Sequence, residues 1–343
     1  MEHYAGIDVS LERSSVCVVD GGGKIVVEAK LTTEPEALVS WLRAQPFDLA
    51  RIGLEAGPLS QWLFAGLRDA GFAAELLETR HVRAAFKTMP VKTDKKDARG
   101  IAQLMRLGWF KPVHCKSLAA QETRALLTAR KLLQAKRHDV EMSLRGVLRG
   151  FGLKVGPTTP TTFEARVREL VEGHPTLETV AEALLSARAE LLRRFKDLEK
   201  RLVAVGRDDA RVRRLTTVPG VGNLVALTFV AAIDDPTRFR RSRQVGAYYG
   251  LTPSRYQSGE TDVSGRISKI GDHGVRMMLY EAANVMLTRP VKGSALKDWA
   301  LAIAKRAGAR KAKVALARKL AVVLHRMLVD GTTFEPRRAT MAA

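Results

Sequence analysis

Four acidic residues in the first hundred positions have the types and spacing of a metal site. Asp8 and Glu55 each follow an apolar run that predicts a buried strand. Asp94 and Asp97 lie three apart at the start of a helical stretch, so they share one helix face. Carboxylates are costly to bury unless they are paired or bound to a metal. Acids from strand ends and a helix can converge on a pair of Mg²⁺ (or Mn²⁺) ions, which activate a nucleophile and stabilise a leaving oxygen on phosphate.

The elements around these acids predict a layer that would bring them together. Three meandering strands are followed by alternating helices and strands, which is typical of an RNase H-like α/β layer. In that layer the first and fourth strands are neighbours at the sheet centre, so Asp8 and Glu55 would lie close together. The predicted strands are residues 4–9, 14–20, 24–31, 50–55 and 74–78, and the predicted helices are residues 34–44 and 59–70.

The acids also have plainer interpretations. Asp94 can be the N-cap of its helix, with Asp97 at the third helical position opposing the positive end of the helix dipole. Taken one at a time, therefore, these residues are weak indicators of chemistry, and the prediction depends on their occurrence together and in this order.

The composition indicates a globular protein that binds a polyanion. A chain of 343 residues has room for two or three domains, and its net charge is +21 with a pI of about 10.3. A generically basic protein and a ligand of anionic membranes are the alternatives, but no apolar run approaches the ~20 residues that span a bilayer. Asp8 and Glu12 stand where a signal peptide would be apolar, and Cys17 and Cys115 are unclustered. We therefore expect a cytoplasmic, nucleoid-associated bacterial protein without a Cys₄ zinc site.

The middle of the chain predicts two long helices, residues 119–149 and 177–205, joined through a segment rich in Gly, Pro and Thr at residues 152–162. The second helix has a short heptad seam typical of a coiled coil, although an ordinary amphipathic helix fits as well. The seam consists of Leu177, Leu184, Leu191, Leu198 and Val205, with Val180, Ala187, Phe195 and Leu202 near the complementary positions.

The C-terminal part opens with a glycine-rich turn between helices. The run Val218-Pro219-Gly220-Val221-Gly222 has the form of a helix-hairpin-helix, in which Gly220 and Gly222 let backbone N–H groups approach a phosphate. A tight structural turn is the alternative. Basic side chains follow, and Arg neutralises phosphate while aromatic rings stack on bases. The candidate nucleic-acid contacts here are Arg238, Arg240, Arg241, Arg243, Arg255, Tyr256 and Lys269.

A basic segment predicted as a loop, residues 252–270, contains several serines. A serine hydroxyl among Arg and Lys can attack a phosphodiester while the cations balance the developing charge. The spacing does not choose among these serines, and each also suits a turn. The candidates are Ser254, Ser258, Ser264 and Ser268.

The end of the chain predicts one basic helix, residues 305–328, with an apolar stripe formed by Leu316, Leu320, Val323 and Leu324. Its eight Lys and Arg residues would face nucleic acid, or simply solvent. We expect residues 332–343 to be a frayed tail.

Several motifs together resemble the IS110-family transposases over nearly the whole chain, from Asp8 to about residue 331. They are the Asp-Glu-Asp-Asp set, Lys92-Thr93-Asp94-x-x-Asp97-Ala98-Arg99, Val218-Pro219-Gly220-Val221-Gly222, Gly250-Leu251-Thr252-Pro253-x-Arg255-Tyr256-x-Ser258-Gly259, and Ile267-Ser268-Lys269-Ile270-Gly271 through Arg276.

This resemblance implies a specific organisation and chemistry. Residues 1–110 would be a RuvC-like domain whose metal ligands are the four acids, residues 111–211 a helical and coiled-coil region, and residues 212–331 a transposase domain. By motif match, the serine that becomes joined to DNA would be Ser258. The family also implies a structured bridge RNA that pairs with donor and target DNA.

The acids and the serine fall in different predicted domains, so they would meet within a dimer or tetramer, with helix 177–205 as the assembly element. Two other functions remain open. A RuvC-like, structure-specific nuclease using water would need the acids but not Ser258. A basic scaffold that binds structured RNA or DNA would need neither, nor Mg²⁺.

Overall fold

The computed structural model describes residues 2–87, 93–291 and 293–336. Lys92 of the motif and residues 337–343 of the predicted tail lie outside the described residues. The chain divides into two compact units, Met1–Lys116 and Ser117–Ala343. Residues 117–211 of the predicted helical region fall in the same unit as residues 212–331, and Leu202 of the second long helix shares one hydrophobic core with Val212.

The described part of the first unit contains a five-stranded mixed sheet with the order β3-β2-β1-β4-β5. The meander β1–β2–β3 is antiparallel, and β4 and β5 continue from β1 in parallel. The prediction that the first and fourth strands are central neighbours is therefore confirmed. The strands are β1 (His3–Asp8), β2 (Arg13–Asp20), β3 (Ile25–Thr32), β4 (Leu49–Glu55) and β5 (Ala74–Leu77).

Helices cover both faces of this sheet. Alternate residues of β1 point to opposite faces. Ile7 points to the face covered by helices 35–43 and 60–69, and Tyr4 points to the face covered by helix 94–107. This alternation decides on which face the end of each strand presents its acid. The helices are α1 (Pro35–Arg43), α2 (Ser60–Asp69), α3 (Thr79–Ala85) and α4 (Asp94–Leu107).

The second unit is mainly helical. Its helices are α5 (Leu118–Gly150), α6 (Phe163–Val171), α7 (Pro175–Asp208), α8 (Ala210–Leu215), α9 (Asn223–Ile233), α10 (Arg243–Tyr248), α11 (His273–Thr288), α12 (Ala295–Ala307) and α13 (Ala309–Asp330), and its strands are β6 (Pro253–Ser258) and β7 (Thr261–Ile267). Helix α9 is apolar on most sides and lies in the centre of the core.

The two predicted long helices are confirmed as α5 and α7, and they pack antiparallel within the chain. Arg130 binds Glu199 at 2.6 Å near one end, and Arg188 binds Glu141 at 2.8 Å near the other. The predicted seam is only partly buried. Leu177 is buried, whereas the other leucines of the seam are half-buried, because α5 and α6 contact α7 at Ala181, Leu185 and Arg188 instead. Helix α6 was not predicted.

The predicted tail helix, residues 305–328, is confirmed as α13, although it begins four residues later, because Gly308 with a φ of +87° separates it from α12. One further prediction of secondary structure is wrong. The segment predicted as a loop is the antiparallel hairpin β6–β7, in which Ser258 pairs with Thr261 across a two-residue connection. The connection contains Gly259 at φ +55°, a conformation that favours glycine.

Candidate functional site

Asp8 and Glu55 lie at the carboxyl ends of adjacent central strands. Ile7 of β1 pairs with Leu54 of β4, so the two acids are the next residues of two parallel strands. They lie two residues beyond Gly6 and Gly53, and therefore point to the same face, the one covered by α4. The sheet brings these two predicted acids together, and both are half-buried.

Glycines allow α4 to approach this face closely. A Cβ atom on Gly6 would overlap the carbonyl oxygen of Ala98, and one on Gly53 would lie 2.7 Å from Cγ of Met105. The buried stripe of α4 includes Ala98, Ile101 and Met105. The α4 backbone lies against β1 at Gly6, and the Ile101 and Met105 side chains of α4 lie against β4 at Gly53, so close packing sets the position of the helix over these strands.

Asp94 and Asp97 form the acidic first turn of α4 and extend its buried stripe by one turn. The N-cap is Thr93, whose Oγ1 accepts from the N–H of Lys96 at 3.2 Å. The alternative prediction that Asp94 caps this helix is therefore wrong. Asp94 is exposed and lies 3.9 Å from Nζ of Lys30 on β3, while Asp97 is half-buried.

The four acids share one sheet face and one end of the strands, but they are not closed around a point. Within residues 2–87, 93–291 and 293–336, no three His, Cys, Asp or Glu side chains are close enough to hold one metal ion. Like charges in a common region repel unless a cation lies between them. The donor set contains only oxygen, which is the chemistry that Mg²⁺ and Mn²⁺ select.

Ser258 lies at the exposed tip of the β6–β7 hairpin, where it is the last residue of β6. The other serine candidates differ from it in position. The Ser254 hydroxyl donates to the carbonyl of Arg266 at 3.1 Å, and the Ser268 N–H donates to the carbonyl of Thr252 at 2.9 Å. Ser264 lies on β7 opposite Arg255 and is exposed like Ser258, so position at the hairpin tip is what differs between these two serines.

The two faces of the hairpin differ in chemistry. On one face Arg255 donates to Asp262 at 2.7 Å, an ion pair that lowers the pKa of the Asp262 carboxyl. On the other face Tyr256 pairs across the strands with Val263, and their side chains are 67% and 57% exposed. Tyr256 lies two residues from Ser258 and so shares its face, which leaves an exposed ring beside the hydroxyl.

The base of the hairpin is held rigidly. Arg276 of α11 donates to the carbonyl oxygens of Tyr249, Ile270 and Gly271 at 3.2, 2.7 and 3.0 Å. A Cβ atom on Gly250 (φ +66°) would overlap the backbone of Ile270. Lys269, predicted to contact nucleic acid, lies beside this close approach of Gly250 to Ile270. It has a φ of +54° and an exposed side chain. The sequence marked Arg276 as part of a motif but indicated no role for it.

The basic run after α9 separates into two kinds of residue. Arg238 donates to the carbonyl of Ile233 at 3.1 Å and lies 4.3 Å and 4.6 Å from the ring centroids of Phe239 and Tyr248. The Arg238 side chain therefore binds the C-terminal end of α9 and is half-buried. By contrast, the predicted contacts Arg240, Arg241 and Arg243 are exposed.

The glycine-rich turn joins α8 to α9. Gly220 has φ +84°, and a Cβ atom there would lie 2.6 Å from the carbonyl oxygen of Ala282 on α11, so its absence of a side chain is required by packing. Gly222 is the exposed N-cap of α9 with open space around it.

Sequence reasoning missed an ion pair that joins α5 to α11 below the hairpin. Asp272 accepts from the N–H groups of Gly274 and Val275, and its carboxylate lies 2.7 Å from Arg124. These contacts hold the pKa of Asp272 low against the effect of burial, which is the largest single influence and raises it. An Asp just before a helix predicts a cap, but only the packing of α5 reveals its partner.

Comparisons with known proteins agree with this arrangement. The model of the IS116/IS110/IS902 transposase family matches residues 212–300, and a DEDD transposase model of IS110 elements matches residues 5–152. The transposase of element IS1111A from Coxiella burnetii is 30% identical over 340 residues, which cover 96% of this chain and 90% of that protein. The chain belongs to the IS110 family of insertion-sequence transposases.

Two further relatives support this assignment. A Pseudomonas aeruginosa protein described as a "probable family 20 transposase" is 28% identical over 312 residues, covering 86% of this chain and 90% of that protein. The transposase of element IS1328 from Yersinia enterocolitica is 26% identical over 286 residues, covering 82% and 85%. As an IS110-family transposase, the chain is a DNA-processing enzyme.

The two matched regions of this IS110 transposase contain its two groups of candidate residues. The DEDD match includes the four acids of the first unit, and the other match includes Ser258, Arg276 and the glycine-rich turn. An open cavity of about 760 Å³ between α6 and α7 lies in neither match. Four of its nine lining residues are glutamates, among them Glu172 and Glu178, and only one is an arginine, so the cavity would repel DNA.

No helix of this transposase is both long enough and apolar enough to cross a membrane, judged over the described ranges.

Proposed function

We propose that this transposase cuts and rejoins DNA through a covalent bond to Ser258, with a divalent cation held by Asp8, Glu55, Asp94 and Asp97. The observation that carries the proposal is the position of Asp8 and Glu55 at the ends of two adjacent parallel strands, beside the acidic first turn of α4. The first and fourth strands are neighbours in the mixed sheet, and the DEDD family match covers the same acids.

The four carboxylates suit a hard dication such as Mg²⁺ or Mn²⁺. A bound cation would supply positive charge at the phosphate oxygens and lower the barrier to attack. The residues of the chain supply the oxygen ligands. Asp8 and Glu55 would present oxygens from the ends of two adjacent strands, and Asp94 and Asp97 would present theirs from the first turn of α4.

Ser258 is suited to attack because it stands at an exposed hairpin tip. Its Oγ would bond to phosphorus while the bond from phosphorus to one deoxyribose oxygen breaks. The serine proton passes to solvent, and the leaving oxygen takes up a proton. The phosphoserine ester keeps the phosphodiester bond energy, so a hydroxyl of another DNA strand can reverse the step, joining to phosphorus and restoring the serine.

The DNA-contacting surface of the second unit comprises the exposed arginines 240, 241 and 243, with Arg255, Tyr256 and Lys269 around the serine. The N–H groups at Gly222 extend this surface at the start of α9, while Gly220 supports the turn. Arg238 contributes indirectly, because its guanidinium is engaged with carbonyls and rings that shape the same segment.

The resemblance of the motifs to the IS110 family further implies a structured guide RNA that pairs with donor and target DNA, and a homo-oligomeric enzyme. The acids and Ser258 belong to different compact units. Mixing an Asp8→Ala protein with a Ser258→Ala protein therefore tests assembly directly, since recovered activity after subunit exchange requires that different subunits supply the two groups.

A covalent-capture assay tests the proposed chemistry. The protein is incubated with its element-end DNA, RNA transcribed from the element's flank and Mg²⁺, and then separated on a denaturing gel. We expect a protein–DNA adduct that disappears in Ser258→Ala and Asp97→Ala but persists in the neighbouring Ser264→Ala. Free cleaved DNA without an adduct, unaffected by Ser258→Ala, would instead establish a metal-dependent nuclease that uses water.

A further inference from the structure

Two rows of residues cross the first unit's sheet on the face that α4 covers. In the lower row, Gly53 pairs with Gly6, Gly6 with Cys17, and Cys17 with Glu28 of the edge strand β3. The upper row is two residues away from the lower row on every strand, and therefore lies on the same face. Its members are Glu55, Asp8, Ser15 and Lys30. The upper row contains candidate metal ligands, and the lower row contacts the helix that supplies the others.

Glu28 is the charged member of the lower row. Its carboxylate accepts from Nε and Nη2 of Arg99 at 2.6 and 2.9 Å, and Nζ of Lys95 lies 2.9 Å away. The Glu28 side chain is 18% exposed. The hydrogen bond from Arg99 is the largest influence on its carboxyl, and with Lys95 it lowers the pKa of Glu28 to about 2. Glu28 is thus ionised and bidentate toward the guanidinium.

Lys95 and Arg99 lie four residues apart on α4, so the Glu28 carboxylate binds two side chains separated by one turn of the helix. Lys95 stands between Asp94 and Asp97 in the sequence, and Arg99 lies two residues after Asp97. The glycine contacts set how closely α4 approaches β1 and β4. Further along α4, Gln103 donates to the carbonyl of Gly23 at 2.7 Å and Arg106 to that of Gly21 at 3.4 Å, so the C-terminal half of the helix is tied to the turn between β2 and β3. The Glu28 contact on β3 holds the other end of the helix, its N-terminal turn.

We propose that Glu28 is a positioning residue that holds the first turn of α4 so that Asp94 and Asp97 face Asp8 and Glu55. The proposal rests on the proposed metal role of the four acids. Without the Glu28 contact, α4 still packs through its apolar stripe, but its N-terminal turn samples more orientations. Metal binding must then restrict those orientations, which raises the metal concentration required.

The test uses the full-length protein and compares Glu28→Gln with wild type in the covalent-capture assay over a range of Mn²⁺ concentrations. We expect the Mn²⁺ concentration for half-maximal adduct formation to rise about 3- to 10-fold, with the plateau rate recovered within about twofold at saturating Mn²⁺. Hydrogen–deuterium exchange without metal should be faster at the amides that follow the first turn, residues 98–101, and unchanged in α2.

A matched control is Glu190→Gln on α7, because Glu190 also binds two arginines and has its pKa lowered to about 2. It should leave the metal requirement unchanged. If Glu28→Gln folds poorly, Arg99→Gln removes the same ion pair through the other partner. Combining it with Glu28→Gln should add little to either single change.

The outcomes separate the two proposals. If Glu28→Gln lowers the plateau rate without shifting the metal requirement, or leaves exchange of α4 unchanged, the positioning role is wrong while the metal role stands. If Asp8→Ala and Asp97→Ala retain full activity, the proposed metal role itself is wrong, and faster exchange in Glu28→Gln would then report only a structural ion pair.

Discussion

At the scale of single residues, two glycines decide whether the acids can meet. Gly6 and Gly53 are adjacent in the central parallel pair, and each occupies a position where a side chain would intrude on α4. Their role is packing rather than backbone conformation, because neither has a positive φ. A side chain at either position would lift α4 and with it the turn that carries Asp94 and Asp97.

Gly53→Ala should therefore destabilise the first unit by about 1–3 kcal/mol, since the added methyl group overpacks against Met105. Gly146→Ala in α5 is the matched control. Nothing lies within 4 Å of a Cβ atom there, so the same change should stabilise the helix by about 0.5–1 kcal/mol. Urea unfolding followed by circular dichroism measures both. Equal effects of the two substitutions would contradict the close-approach argument.

At the scale of elements, the candidate groups are carried by parts of different rigidity. Helix α4 is held by glycine contacts below and by Glu28 at its side. The β6–β7 hairpin is exposed along both strands, and at its base Arg276 binds three carbonyl oxygens. An isolated two-stranded hairpin is marginally stable in water, so we expect its tip to become ordered on nucleic acid.

The contact between α4 and β3 should appear in the pH dependence of stability. The pKa of Glu28 is lowered in the folded chain, so its contribution is complete above its usual pKa and is lost as pH falls from about 4.5 towards 2. Over this range the wild-type free energy of unfolding should fall by about 1–2 kcal/mol more than that of Glu28→Gln, allowing for solvent screening.

Tryptophan fluorescence during urea unfolding at several pH values measures this difference, because three of the four tryptophans, Trp41, Trp62 and Trp109, lie in the first unit. Parallel pH profiles for the two proteins would show that Glu28 contributes no acid-sensitive stability.

At the scale of the whole molecule, the net charge of +21 acts through particular surfaces. Many arginines are already paired, such as Arg166 with Glu169 and Arg193 and Arg194 with Glu190. In contrast, the arginines at 240, 241 and 243 are exposed, and no ion pair of theirs is among the described contacts. DNA binding should therefore release counterions mainly through Arg240, Arg241 and Arg243.

Replacing Arg240, Arg241 and Arg243 by Gln should weaken DNA binding and reduce the slope of log K against log salt by about 2–3, near 0.9 for each lost phosphate contact. The control replaces Arg166, Arg193 and Arg194, which removes the same charge from paired positions and should change the slope by less than about 1. Fluorescence anisotropy over a NaCl series measures both. Equal slopes for the two triple variants would show that only total charge matters.

Local patterns in the sequence determine most of the first unit. They predict its five strands and two of its helices to within about two residues, because apolar alternation and glycine turns are local signals. The motif order also indicates the four acids and the serine. The same patterns predict a loop around Ser258, wrongly, because the exposed strands of the hairpin lack an apolar face.

Only the tertiary structure decided how those residues are used. It assigned the cap of α4 to Thr93, engaged Arg238 with the end of α9, and paired α7 with α5 of the same chain. It also joined Glu28 to Arg99, which are 71 residues apart in the chain. Contacts over such separations depend on which faces pack together, and the periodicity of a single segment contains no information about the surface that will cover it.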